Sequence, residues 1–122
     1  MVEVTIRNYL AGALDGVPVF LEMPEVPSRT YPHFPQEFVL VQRLGGGQVN
    51  KIDSASFAFQ SYSLKSLRNA AALDKRVREA MHNIITLPSI SASKLASNYN
   101  FTDTTTKRYR YQAVFDLTYY ED

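Results

Sequence analysis

The stretch from residue 107 to 120 constrains this chain more than any other. Tyr109, Tyr111, Ala113, Phe115, Leu117 and Tyr119 share one parity, and Arg108, Arg110, Gln112, Val114, Asp116 and Thr118 share the other. Successive side chains of a strand point to opposite faces, so this pattern is that of a half-buried antiparallel strand. A strand of that kind needs partner strands beside it and a packed layer over its apolar face. The remaining sequence has to supply both.

Most of that supply lies between residues 38 and 84. Phe38-Val39-Leu40-Val41 is a nearly continuous apolar run and predicts a central strand over 38–43. Arg43-Leu44-Gly45-Gly46-Gly47 follows and predicts a tight or bulged hairpin turn over 44–47, with glycine supplying positive φ. A phosphate-cradling loop is the competing reading. It requires a Lys-Ser/Thr ending and a helix directly after the loop, whereas here Lys51 is followed by Ile52 and another strand. That strand, over 51–62, puts Asp53, Ala55, Phe57, Phe59 and Ser61 on one face and Ile52, Ser54, Ser56, Ala58, Gln60 and Tyr62 on the other. Phe57 and Phe59 are predicted to face the core. Ser61 or Ser63 then caps a helix over 64–84, whose stripe is Leu64, Leu67, Ala71, Val77, Met81 and Ile84, flanked by Ala70, Leu73 and Ala80. Its basic residues are interspersed with Asp74 and Glu79, as on a solvated face.

The flanking segments are simpler. Val2, Ile6, Tyr9, Leu10, Ala13 and Leu14 follow helical spacing and predict a short helix over 2–14, ended near Gly16. Residues 17–22 predict a short strand that Pro18 confines to a sheet edge or to its own first position. Pro24, Pro27, Pro32 and Pro35 make 23–36 a stiff, extended surface loop, and long ordered loops are commonly functional. Its His33 has no ligand-type partner, and neither has His82 on the helix. Residues 90–101 predict a strand bulged or interrupted near 94–97, joined by a polar connection over 102–106 to the closing strand.

The order α-β-loop-β-β-α-β-β predicts a single α+β domain spanning 1–122. It should hold an antiparallel or mixed sheet of four to five strands, with one long and one short helix packed on one face. The opposite face is left for something else.

Composition narrows the function. A chain of 122 residues with formal charge +1 advertises no strong pull toward nucleic acid or membrane. There is no cysteine, which removes thiol chemistry and disulfides. No apolar run approaches the roughly 20 residues of a membrane span, and the N-terminal residues do not resemble an export signal. Catalysis needs a nucleophile with a base, paired carboxylates or a metal set, and none is visible, so the chain is read as a non-enzyme without cofactor or metal. Arg108-Tyr109-Arg110-Tyr111 could serve a sheet-surface nucleic-acid binder. Alternation, however, places the arginines and tyrosines of that strand on opposite faces. The eight tyrosines fit either an interface or ordinary strand usage.

The whole chain resembles the tail terminator (tail completion) proteins of long-tailed bacteriophages and prophages. The resemblance rests on several features in combination: the short N-terminal helix, the proline-bearing segment, and Phe38-Val39-Leu40-Val41-Gln42-Arg43-Leu44-Gly45-Gly46-Gly47. It continues in the strand with Asp53, in Ala70-Ala71-Ala72-Leu73-Asp74-Lys75-Arg76-Val77-Arg78-Glu79-Ala80, and in Arg110-Tyr111-Gln112-Ala113-Val114-Phe115-Asp116-Leu117-Thr118. It implies a structural protein made in the host cytoplasm and carried in the virion at the head–tail junction. Subunits would form a ring, typically of six, on the finished tail tube, touching the major tube protein and the head–tail connector or stopper. DNA would only pass through the lumen. A different connector component, such as a stopper or adaptor, is the neighbouring alternative.

The candidate assembly residues are Arg29 and Tyr31 in the proline segment, Arg43, Gly45, Gly46 and Asp53 in the glycine-bearing hairpin, and Arg108 and Arg110 in the closing strand. For Arg43 and Asp53, a local ion pair that fixes the hairpin is as good a reading as contact with a partner.

Overall fold

A computed structural model describes residues 1–49, 52–102 and 108–120. It contains a five-stranded mixed sheet in the order β1-β2-β3-β5-β4. The strands are β1 (Val19–Phe20), β2 (Glu37–Val49), β3 (Ile52–Ser63), β4 (Ile90–Asn100) and β5 (Tyr109–Tyr119), with helices α1 (Val2–Ala13) and α2 (Leu67–His82). A short 3-10 turn, Asn83–Thr86, extends α2. Only the β1–β2 pair is parallel. The α+β class, the sheet size and the one long and one short helix are as predicted.

Burial follows the alternation read from the sequence. The principal core holds Phe57 and Phe59 of β3 with Ala113, Phe115, Leu117 and Tyr119 of β5, all packed under the helices. Burying each phenylalanine side chain is worth roughly 1.5–3 kcal/mol relative to leaving it in water. α1 contributes Val2, Ile6 and Leu10, with Leu14 following as its C-cap, one apolar residue per turn. Its end is set by Asp15 at φ 40° and Gly16 at φ 90°, left-handed conformations that stop the helix. α2 contributes Ala70, Leu73, Val77 and Met81, and Ile84 follows from the 3-10 turn.

Three boundaries differ from expectation, each for a physical reason. β2 runs straight through Gly45, Gly46 and Gly47, so 44–47 is strand and not the hairpin turn. The irregularity is a register shift between Arg43 and Gly45 that leaves Leu44 extra, which is a β-bulge. Residues 50–51, which join the two strands, lie outside the described residues. Next, β3 continues to Ser63 because Ser63 is paired with both Glu37 and Tyr109. The helix therefore starts later, capped by Ser66, whose hydroxyl accepts from the Asn69 amide at 3.1 Å, and not by Ser61 or Ser63. Leu64 and Leu67 are consequently exposed and outside the buried stripe. Finally, β1 keeps only two residues of the predicted 17–22. The bulge expected near 94–97 in the fourth strand is present, between Leu95 and Ser97. The polar connection read over 102–106 and the first residue read into the closing strand, Lys107, lie outside the described residues, apart from Thr102.

Asp74 contradicts its assignment to a solvated face. It is 1% exposed. Arg78 Nε donates to it at 3.0 Å, and Asn98 Nδ2 donates at 3.0 and 3.1 Å. Asn98 also donates to the Gln112 carbonyl oxygen, so the carboxylate ties α2 to β4 and β5. A buried charge is tolerable only when it is paired in this way.

Candidate assembly surface

Both helices pack on one face of the sheet, and the other face carries a second, smaller cluster built from strand and loop residues. Phe38, Leu40 and Tyr62 are buried there, with Phe20 and Phe34 packed against them. The rings form a chain: Phe34 stacks on Phe38 at 6.0 Å, Phe38 stacks on Tyr62 at 4.6 Å, and Tyr31 meets Phe20 edge-on at 5.3 Å. The proline segment thus lies against the sheet through Tyr31 and Phe34. Tyr31 is held in a local turn, its amide donating to Ser28 Oγ at 3.0 Å and its carbonyl accepting from the Ser28 amide at 2.9 Å.

A row of amides crosses the same face. Gln60 Nε2 donates to Gln42 Oε1 at 3.3 Å and to Gln112 Oε1 at 2.9 Å. Gln112 Nε2 donates to the Tyr99 hydroxyl at 2.5 Å, and the Tyr62 hydroxyl donates to Gln60 Oε1 at 3.0 Å. The row links β2, β3, β5 and β4, and fixes the side chains of a face that no helix covers. Side-chain hydrogen-bond networks of this kind rigidify a surface.

Arg108 and Arg110 stand at one end of this face. Arg110 Nε donates to the Phe101 carbonyl at 2.6 Å and its NH1 donates to the Tyr62 hydroxyl at 2.9 Å. Its guanidinium lies 4.2 Å from the Phe101 ring centroid, and that of Arg108 lies 4.4 Å from the Phe34 centroid. The alternation within β5 holds, but neighbouring elements supply aromatic rings to the arginine face. The arginine face therefore offers aromatic rings as well, from Phe34 and Phe101 and not from the tyrosines of β5.

The opposite end of the face is small and polar. Gly45, Gly47, Ser54, Ser56, Asp116 and Thr118 line an open concavity of about 440 Å³. Ser56 Oγ donates to Asp116 Oδ1 across it at 2.6 Å. Gly46 points the other way, toward the helix side. A Cβ there would stand 2.3 Å from the Ser54 carbonyl oxygen and 2.7 Å from Ala55 Cβ, so this position requires glycine.

The predicted candidates are thus divided among places. Arg108, Arg110 and Tyr31 gather around the aromatic cluster, and Gly45 lies on the same face at its far end. Arg29 is exposed on the proline segment. Arg43 is opposite Phe57, and its guanidinium lies 3.9 Å from Glu3 of α1. Asp53 is opposite Gln48 and Tyr119. The register keeps Arg43 and Asp53 apart, so the hairpin ion pair does not form.

Gln42, Gln60, Gln112 and Tyr99 were not among the candidates. The signal for the three glutamines is their place at one parity of three separate strands; the sequence holds none for Tyr99. Among the described residues no group of three or more His, Asp or Glu is placed to hold a metal. No described helix is long and apolar enough to cross a membrane. Comparison with protein-family models and with curated proteins returns no match.

Proposed function

We propose that this chain is a structural subunit of phage tail assembly. It would cap the finished tail tube as a ring, stop its polymerisation and form the surface that the head connector joins. One observation carries most of the support: the sheet is covered by helices on one side only, while its other side is held rigid by the amide row and the arginine–aromatic stacks. A preorganised face needs little further ordering when it meets a partner, which suits binding. The sequence resemblance supplies the identity of the partners: further copies of this chain, the tube protein and a connector or stopper. Multivalent contact of a ring with the tube end then makes weak single contacts strong.

Electron microscopy of particles assembled without this protein tests the reading. Overlong tubes are expected; tubes of normal length would remove the terminator role and leave a stopper or adaptor role to be tested by head attachment. A nucleic-acid-binding reading is favoured by the meeting of Arg108 and Arg110 with aromatic rings. Against it, Arg110 already commits two of its five N–H donors to Phe101 and Tyr62. Single-stranded oligonucleotide binding that weakens with salt and disappears in Arg110→Ala would establish it instead.

A further inference from the structure

The sheet ends in two open edges. β4 forms one margin, with no strand beyond it among the described residues. At the other margin β1 covers only Val39 and Leu40, so among the described residues no strand lies along the outer edge of β2 from Val41 onward. An unpaired edge presents a row of backbone donors and acceptors and is a template for another strand. Beside the open part of β2 lies a groove of about 530 Å³, walled by Val41–Leu44 on one side and by Glu3, Leu21 and Glu22 on the other.

We propose that this groove receives β4 of a second copy, joining subunits head to tail into one continuous sheet. It deepens the ring-forming reading above by naming the contact, and rests on that reading only for what the ring does. Three observations select the occupant. First, polarity fits. β4 runs antiparallel to β5, β5 to β3 and β3 to β2. β4 is therefore antiparallel to β2, and a copy rotated about an axis along the strands presents β2 antiparallel to β4. Second, charge fits. The groove carries Glu22, and Glu3 with Arg43, and the exposed margin strand carries Lys94, which stands opposite Asp116 in its own sheet. Glu3 lies beside Arg43, which leaves Glu22 as the natural partner of Lys94. Third, the two patches differ and lie on opposite margins of one chain, which is the geometry that generates rings. Lys94 on an edge discourages pairing with arbitrary strands, and Glu22 beside the open edge of β2 turns it into a selector.

Charge exchange and cross-linking test this. Sedimentation of the full chain over a concentration series should reveal self-association. Lys94→Glu or Glu22→Lys alone should weaken it about tenfold or more, and the two together should restore it. In this cysteine-free protein, a Gly47→Cys chain mixed with an Ala92→Cys chain should be joined by a short bismaleimide, while neither chain alone should be cross-linked. Gly47 has open space for a side chain and Ala92 is exposed, so both variants should fold. A chain that stays monomeric, association indifferent to both charge reversals, or cross-links formed equally by one variant alone would overturn the proposal. Overlong tubes in particles lacking the protein, with no cross-linking between the two cysteine variants, would keep the terminator role and remove this contact. Tubes of normal length in its absence, beside cross-linking of the two variants, would do the reverse.

Discussion

At the scale of single residues, the three glycines have separate duties. Gly46→Ala forces a methyl group into the Ser54 carbonyl and Ala55, and should cost about 1–3 kcal/mol in denaturant unfolding. Gly45→Ala and Gly47→Ala meet nothing within 4 Å and should stay within roughly 0.5 kcal/mol of the parent. A turn demanding positive φ at all three positions would reverse that pattern. Tyr9 gives a pH-dependent case. Its hydroxyl donates to the Ala80 carbonyl at 2.7 Å, and burial pushes its phenol above the usual 10.0. Folding therefore favours the protonated form. The contribution is complete below pH 10.0 and fades as pH rises through the raised value. Tyr9→Phe should lose about 1 kcal/mol at neutral pH, and the gap to the parent should shrink in strong alkali. Urea titrations of both proteins at neutral and alkaline pH check the sign.

At the scale of elements, α2 is defined by its cap and its anchors. Ser66→Ala should cost about 1 kcal/mol by removing the acceptor of the Asn69 amide. Ser61, which the sequence offered as a cap, instead has a buried hydroxyl without a hydrogen-bond partner, so Ser61→Ala should be neutral or stabilising. Thermal melts of the two variants should move in different directions or by clearly different amounts. The same helix shows where sequence reading stops. Periodicity located the helix and the alternating strands because burial repeats with the geometry of each element. It could not locate the start of α2, because the pairing of Ser63 with two neighbouring strands decides that. It put Asp74 in solvent because a carboxylate at a buried position is intelligible only once Asn98 is seen across the layer. The amide row was hidden for the same reason: Gln42, Gln60 and Gln112 become neighbours only through the register of three strands. The glycine triplet misled because close backbone approach and positive φ select the same residue.

At the scale of the whole molecule, the two faces of the sheet divide the work. One carries the helices and most of the core; the other is a polar and aromatic surface braced from within. Arg110→Ala should leave the core untouched but release Tyr62 and Phe101 from their shared partner. Its melting temperature should fall by a few degrees at most, as expected for about 1 kcal/mol in a domain of this size. Tail-length control, measured by electron microscopy after complementation, should suffer more than the fold does. Equal loss of both would make Arg110 a structural residue only.

The brevity of β1 also sets a timetable for deuterium. From Asp53 to Ser63 in β3 and from Tyr111 to Tyr119 in β5 each residue is flanked by a strand on both sides, so these hydrogens should be the last to exchange. In β4, and in β2 beyond Leu40, only alternate amides point inward to a partner strand, and the outward set should exchange early. A chain that joins its copies edge to edge would slow that outward set and leave the other unchanged. The every-second-residue pattern would then fade from both margins at once.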